Sequence, residues 1–287
     1  MITLADSSME PALKSIWVAC FGDSPDYVDF YFQRMFRPEE VLVALEEGEP
    51  AAMLTMRSVP VRAEGKSYKA AYIFAVATHP DHQGKGLSTT LMEAAHSHLI
   101  QKGFALSMLA PATDSLFDFY GKRGYSTAFE TTVLTLRPGS WQEQPGAALV
   151  PLSVGRMLEL RRRHFASSRF FVDWGAEYLA YILEECRMLG GEALEIGGEG
   201  FAVCYPVGER VEIKELVLPW RTLDQAMTAL HRQYGAREYS LRLWPGEPIP
   251  GENRLLPYAM VRWYDETAKS VAQGAWGKAP YIAHIMD

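Results

Sequence analysis

Residues 78–88 read THPDHQGKGLS and run directly into a helix-forming stretch, TTLMEAAHSHLIQK. A surface turn needs one glycine; here two glycines, a glutamine and a lysine precede the helix. The N-terminus of a helix offers unpaired N–H groups and a partial positive charge, and a pyrophosphate binds such a place readily. Close approach of an anion requires positions without a Cβ, which Gly84 and Gly86 supply. Gln83 and Lys85 add side-chain donors, and Ser88 is small enough to let the helix begin near the phosphates. The spacing predicts a diphosphate cradle over residues 83–88, Leu87 among them.

The other groups able to do chemistry form no second cluster. His79 and His82 lie three apart in a loop. His96 and His98 lie two apart on a helix and so point to different sides. No cysteine or carboxylate set joins them, and capping or solvent-exposed histidines are expected, with no metal. Cys20, Cys186 and Cys204 are odd in number and widely spaced, as free thiols in a reducing compartment would be. The glycine-rich GGEALEIGGEG of the second half lacks a following lysine and helix, and is expected to form turns.

Composition limits the function classes. Of 287 residues, 48% are apolar and 22% charged, which is ordinary globular composition and enough for two domains. The net charge of −7 argues against a nucleic-acid partner. The one basic run, Arg161 to His164, is expected to be a solvated helix face. The N-terminal residues lack the basic and apolar regions of a signal peptide. The longest apolar run, AAYIFAVA from Ala70, is too short to span a bilayer. A cytoplasmic protein without membrane association is expected. No oligomeric state is specified.

The elements that must position the loop follow from periodicity. Two helical patterns, MEPALKSIWVACF and SPDYVDFYFQRMF, open the chain, the second with Ser24 as N-cap and Pro25 in its first turn. Their aromatics, Trp17, Phe21, Tyr27, Phe30, Tyr31 and Phe32, are expected mostly in the core. Three strand patterns follow, the third ending in the apolar YIFAVAT, as when both faces are covered. A helix over about 88–102, the strand FALSMLAP, a short helix from Asp114 and the strand TTVLTL complete the half. RPGSWQEQPGAA reads as a linker. The order helix, helix, three strands, helix, strand then recurs. The prediction is an α/β chain with mixed sheets in two domains, 1–140 and 141–287. The strand-like end, 280–287, is expected to complete the first domain's sheet.

Residues 83–88, QGKGLS, resemble the Q/R-x-x-G-x-G/A signature of the GNAT superfamily of acetyl-CoA-dependent N-acyltransferases, with Ser in the sixth place instead of Gly or Ala. LFDFYGKRGY further along is similar to that family's second landmark, an aromatic-Tyr-x-x-x-Gly-aromatic helix end. The resemblance covers about residues 1–137, and the whole chain resembles tandem bacterial GNAT proteins whose second copy is degenerate. It is also similar to the Eis-like branch, but too short for that branch's additional sterol-carrier-like domain. In the second copy the corresponding loop, LPWRTLD, has no glycine and a bulky Trp220, so one cofactor site is expected.

The resemblance implies acetyl-CoA as co-substrate, with its pantetheine along Val76, Ala77 and Thr78 and a backbone N–H near Val76 at the developing oxyanion. It implies Tyr120 as general acid for the departing thiolate. The acceptor would be a small-molecule or peptide amine. Many relatives carry a glutamate on the strand before the loop; KAAYIFAVAT has none. His79, Asp114, the Asp287 carboxyl terminus and a water chain remain as routes for the amine's proton. The alternative implied is a catalytically decayed acyl-CoA sensor or a docking protein.

Overall fold

A computed structural model describes residues 1–245, 247, 254–274 and 278–284. Strand β1 (Ile2–Leu4) precedes helices α1 (Glu10–Phe21) and α2 (Pro25–Met35). A proline sits in the first turn of each helix, where its missing N–H breaks no bond, and Ser24 caps α2 by accepting from the Tyr27 amide. Strands β2 (Val41–Glu46), β3 (Glu49–Ala63) and β4 (Lys66–Thr78) form an antiparallel meander. Helix α3 (Leu87–Gln101) crosses to β5 (Leu106–Leu109), parallel to β4, and α4 (Asp114–Gly121) leads to β6 (Ser126–Leu136).

The later residues run β7 (Leu149–Pro151), α5 (Val154–His164), β8 (Phe171–Val172), α6 (Ala176–Met188), β9 (Glu192–Ile196), β10 (Gly200–Val207) and β11 (Arg210–Val217). They continue through α7 (Leu223–Tyr234), β12 (Glu238–Leu243), β13 (Arg254–Trp263) and α8 (Glu266–Ala272). As in the first half, two helices and a three-stranded meander precede a helix and a parallel strand.

The thirteen strands belong to one mixed sheet, ordered β1-β2-β3-β4-β5-β13-β6-β12-β11-β10-β9-β7, with β8 paired to β3. One face of its first half is covered by α3, whose Leu91, Met92, Ala95 and Leu99 pack on Leu54, Met56 and Ile73. The opposite face is covered by α1, α2, α5 and α6, whose side chains share one core drawn from both halves. Burial on both faces explains the continuous apolar run of β4.

Strand β13 corrects the expected topology. It lies between β5 and β6, antiparallel to both, so the first half's sheet is completed by residues 254–263. Residues 280–284 do not take that place. They belong to a segment beside 168–171, joined by the bridges Ser168–Lys278 and Phe171–Tyr281; residues 285–287 lie outside the described residues. With β13 on the edges of both β5 and β6, no edge is left there for the chain end.

Two local expectations also change. Arg161, in the run read as a solvated face, is 2% exposed and pairs with the wholly buried Glu215, while Arg162 pairs with Asp173. His96 is buried at 5% exposure, its Nδ1 2.7 Å from the Tyr264 hydroxyl, and burial lowers its pKa to about 4.

Candidate active site

The end of β4 departs from regular strand geometry. Ala52 and Met53 oppose Thr78 and Ala77, but Thr55 opposes Phe74, so β4 carries an extra residue there. Ala75, within this bulge, has φ 49°. A left-handed alanine is uncommon and marks a backbone redirected for a purpose. On its other side β4 pairs with β5 only from Ala70 to Tyr72. Beyond Tyr72 the β4–β5 ladder ends, and a groove lies against the last residues of β4.

That groove, about 410 Å³, is lined by Val76, Ala77, Thr78, Gln83, Gly84, Gly86, Leu87, Ser88 and Tyr120, joined by Cys20 and Phe21 of α1. Nine of the ten residues singled out in the sequence thus line one cleft. The tenth, Lys85, turns aside: its ammonium is 3.3 Å from His82 Nδ1 and 3.6 Å from the Glu46 carboxylate. The Gln83 amide donates to the Thr78 carbonyl at 3.3 Å, so it braces the loop.

Gly84 and Gly86 have φ 78° and 77°, the left-handed region that glycine enters without steric cost. Gly86 is the N-cap of α3, and its carbonyl accepts from the amides of Thr89 and Thr90. Among the described residues, none accepts a hydrogen bond from the amides of residues 84–88. Five adjacent donors at a helix N-terminus with glycines on the approach suit a polyanion.

Tyr120 stands on α4, whose N-cap position is Thr113, with no side-chain cap hydrogen bond. The phenol is 8% exposed and wedged between Phe119 and Tyr125, at ring distances of 5.1 and 6.0 Å. Among the described residues its hydroxyl has no hydrogen-bond partner. Burial raises its pKa, outweighing the opposing pull of Arg123, so the phenol keeps its proton at neutral pH. Arg123 itself stacks over Phe119 at 3.4 Å and donates to the Phe119 carbonyl at 2.7 Å, fixing the end of α4.

On the other side of the bulge lies a second, larger chamber of about 520 Å³. Phe74 and Ala75 form part of its wall, and Phe21 borders both cavities. Aromatic walls come from Trp17, Tyr27 and Tyr205. Two carboxylates face it. Asp23 accepts from the Trp17 indole N–H at 2.7 Å. Glu185 of α6 accepts from the Tyr27 hydroxyl at 3.0 Å and the Tyr205 hydroxyl at 3.1 Å, one on each oxygen. Burial, reinforced by Glu185, pushes both phenols' pKa values up and keeps them as donors. Lys214 of β11 and His284 complete the functional lining.

The sequence did not reveal this chamber. Glu185, Tyr205, Lys214 and His284 come from the second half and belong to no motif. His79 and Asp114, weighed as proton acceptors, line neither cavity: His79 Nδ1 accepts from the Asp81 amide at 3.3 Å, and Asp114 is exposed in the first turn of α4. Asp287 lies outside the described residues. No group of three metal-ligating side chains occurs among the described residues, and no helix there is long and apolar enough to cross a membrane.

A bulged strand end and a bare helix N-terminus thus meet in one cleft. Residues 2–128 match the family model described as an acetyltransferase (GNAT) domain. The fold agrees along nearly the whole chain. A GCN5-related N-acetyltransferase from Anabaena variabilis is similar at a TM-score of 0.78 and 18% identity, covering 93% of this chain and 74% of its own. One from Kribbella flavida gives 0.74 and 20%, covering 96% and 74%. Eis1 from Mycobacterium abscessus gives 0.73 and 13%, covering 95% and 76%. At these identities the likeness is one of fold. No curated protein matched the sequence.

Proposed function

We propose that this chain is an acetyl-CoA-dependent N-acetyltransferase with one cofactor site, in its first half, and a second half that is a degenerate copy. The observation that carries the reading is the groove in which five amides, unpartnered among the described residues, converge with the β4 bulge and the Tyr120 hydroxyl. Diphosphate on the amides of residues 84–88 would leave the pantetheine along Val76, Ala77 and Thr78, and the thioester near the bulge that borders the larger chamber. The acceptor amine enters from that chamber and attacks the thioester carbonyl. A backbone N–H at Val76 steadies the oxyanion. As the C–S bond breaks, Tyr120 gives its proton to the sulfur and recovers one from solvent.

The chamber's carboxylates, Asp23 and Glu185, and its aromatic walls favour a cationic amine, on a small molecule or a peptide. The degenerate half supplies that acceptor wall. Free thiols on all three cysteines fit a reducing compartment such as the cytoplasm.

Isothermal titration with acetyl-CoA tests the cofactor site. Thiol release with spermidine, an aminoglycoside and a lysine peptide tests transfer. Tight binding without release from any amine supports the sensor instead, and absence of binding removes the cofactor assignment.

A further inference from the structure

We propose that His284, oriented by Glu215, is the general base that takes the acceptor amine's proton; this rests on the acetyltransferase reading above. His284 lines the acceptor chamber together with Ala75 of the bulge. Its Nε2 lies 2.6 Å from Glu215 Oε2. Burial alone would raise the pKa of Glu215, but Arg161, His284 and the Tyr281 hydroxyl outweigh it and hold the group ionised. An ionised carboxylate only accepts, so in the neutral form of the ring Nε2 carries the proton and Nδ1 holds the lone pair. Among the described residues nothing bonds Nδ1.

The surroundings fix this ring closely. His284 has φ 52°, a conformation that needs outside support. Trp174 Nε1 and the Tyr178 hydroxyl supply it, donating to the carbonyls of Ala283 and His284 at 2.6 Å each. Arg161 pairs with the other Glu215 oxygen, so both carboxylate oxygens are held and the His284 ring is fixed against one of them. In the reaction the amine N–H bond breaks toward Nδ1 as the new C–N bond forms. Glu215 steadies the imidazolium, which then releases its proton to solvent. An aliphatic amine of pKa about 10.4 costs roughly 4–5 kcal/mol to deprotonate at neutral pH, so a positioned base has work to do.

The groups that set the pH response come from each packed element: Glu215, Arg161 and Tyr281 around Nε2, Tyr178 at the backbone, and Asp23, Tyr27, Glu185, Tyr205 and Lys214 across the chamber. The test is His284→Gln, whose amide can still donate to Glu215. With spermidine, an aminoglycoside and a lysine peptide as acceptors, kcat/KM for the best of them falls by about 100-fold or more at pH 7, and the acetyl-CoA Kd stays within about twofold. The variant's deficit narrows as the pH approaches the amine's own pKa. Activity within about threefold of wild type, with the same pH profile, overturns the base but leaves the acetyltransferase reading standing. No thiol release by the wild type overturns that reading, and the base with it. Should the variant not fold, NMR of the wild type with 15N-labelled histidine decides: a hydrogen-bonded Nε2–H tautomer that titrates supports the base, and a permanently protonated ring or an Nδ1–H tautomer refutes it.

Discussion

Replacing Tyr120 by phenylalanine removes one oxygen atom whose loss separates catalysis from stability. The ring is buried against Phe119 and Tyr125, and those contacts survive the change. The hydroxyl has no hydrogen-bond partner among the described residues, so no donor or acceptor there is orphaned. Unfolding free energy therefore moves by no more than about 0.5 kcal/mol. The rate is another matter. A thiol of pKa about 8.5 that leaves as thiolate at pH 7 forgoes about 1.5 units of protonation, or ~2 kcal/mol and ~30-fold. General-acid effects span about 10²–10⁴, and the modest basicity of this leaving group places the expected loss of kcat at the low end, ~30- to 100-fold. The loss shrinks as pH rises through about 8.5, where the thiolate no longer needs a proton. Burial raises the pKa of Tyr120, but the same environment raises that of the departing thiol, so the mismatch between them does not widen in proportion. The assay is thiol release at saturating acetyl-CoA from pH 6 to about 9, beside thermal melts and cofactor titration. A kcat within twofold of wild type at pH 7 would refute the assignment. So would a loss that tracks a fall in melting temperature or cofactor affinity.

Three further perturbations address other parts of the site. Gly86→Val forces a β-branched residue to φ 77° in a position where its Cβ meets no protein atom within 4 Å; the expected cost is ~1–2 kcal/mol in urea unfolding, with acetyl-CoA affinity by calorimetry down at least about tenfold. Glu185→Gln removes the chamber's hydroxyl-braced carboxylate, so KM for a cationic amine rises about tenfold while the acetyl-CoA Kd is unchanged, measured by steady-state kinetics and titration. Glu215→Gln leaves Arg161 buried without its counter-charge and costs about 3–5 kcal/mol by denaturant unfolding. Glu215 has a folded pKa depressed from 4.5 to about 2, so its contribution is fully present above the unfolded value and is lost as pH falls toward the folded one. The stability gap between wild type and this variant is thus constant above about pH 5 and narrows between pH 4.5 and about 2.

The glycine loop of residues 83–88 and its place before a helix were legible because their demands are local. Two glycines one residue apart before a helix have few structural uses, and both adopt the left-handed conformation that only glycine enters freely. The expected start of α3 near Ser88 differs from the observed Leu87 by one residue. The bulge escaped notice because an alanine, Ala75, fills the left-handed position; the strain is imposed by tertiary packing and leaves no mark on residue type. The acceptor chamber is non-local in the extreme. Tyr27 and Glu185 meet across more than half the chain, and His284 sits in a segment that reads as a plain strand.

Strand β13 was hidden for a different reason, and its placement explains how two such distant sets of residues make one site. LLPYAMVRW alternates poorly, and Pro257 argues against a central strand; the structure accommodates it beside register slips on either side of Ala259. Once inserted, β13 supplies the edge that β5 and β6 would otherwise leave open, and β12 continues the sheet from β6 into the second half. The two halves are therefore hydrogen-bonded through a shared sheet, and α2 packs on α6 across the junction, with Phe30 stacked on Tyr181 at 5.2 Å. That contact holds Tyr27, one residue-turn earlier on α2, against Glu185. The continuous sheet joins the two halves, and it lets residues of the second half wall a chamber that borders the first half's groove.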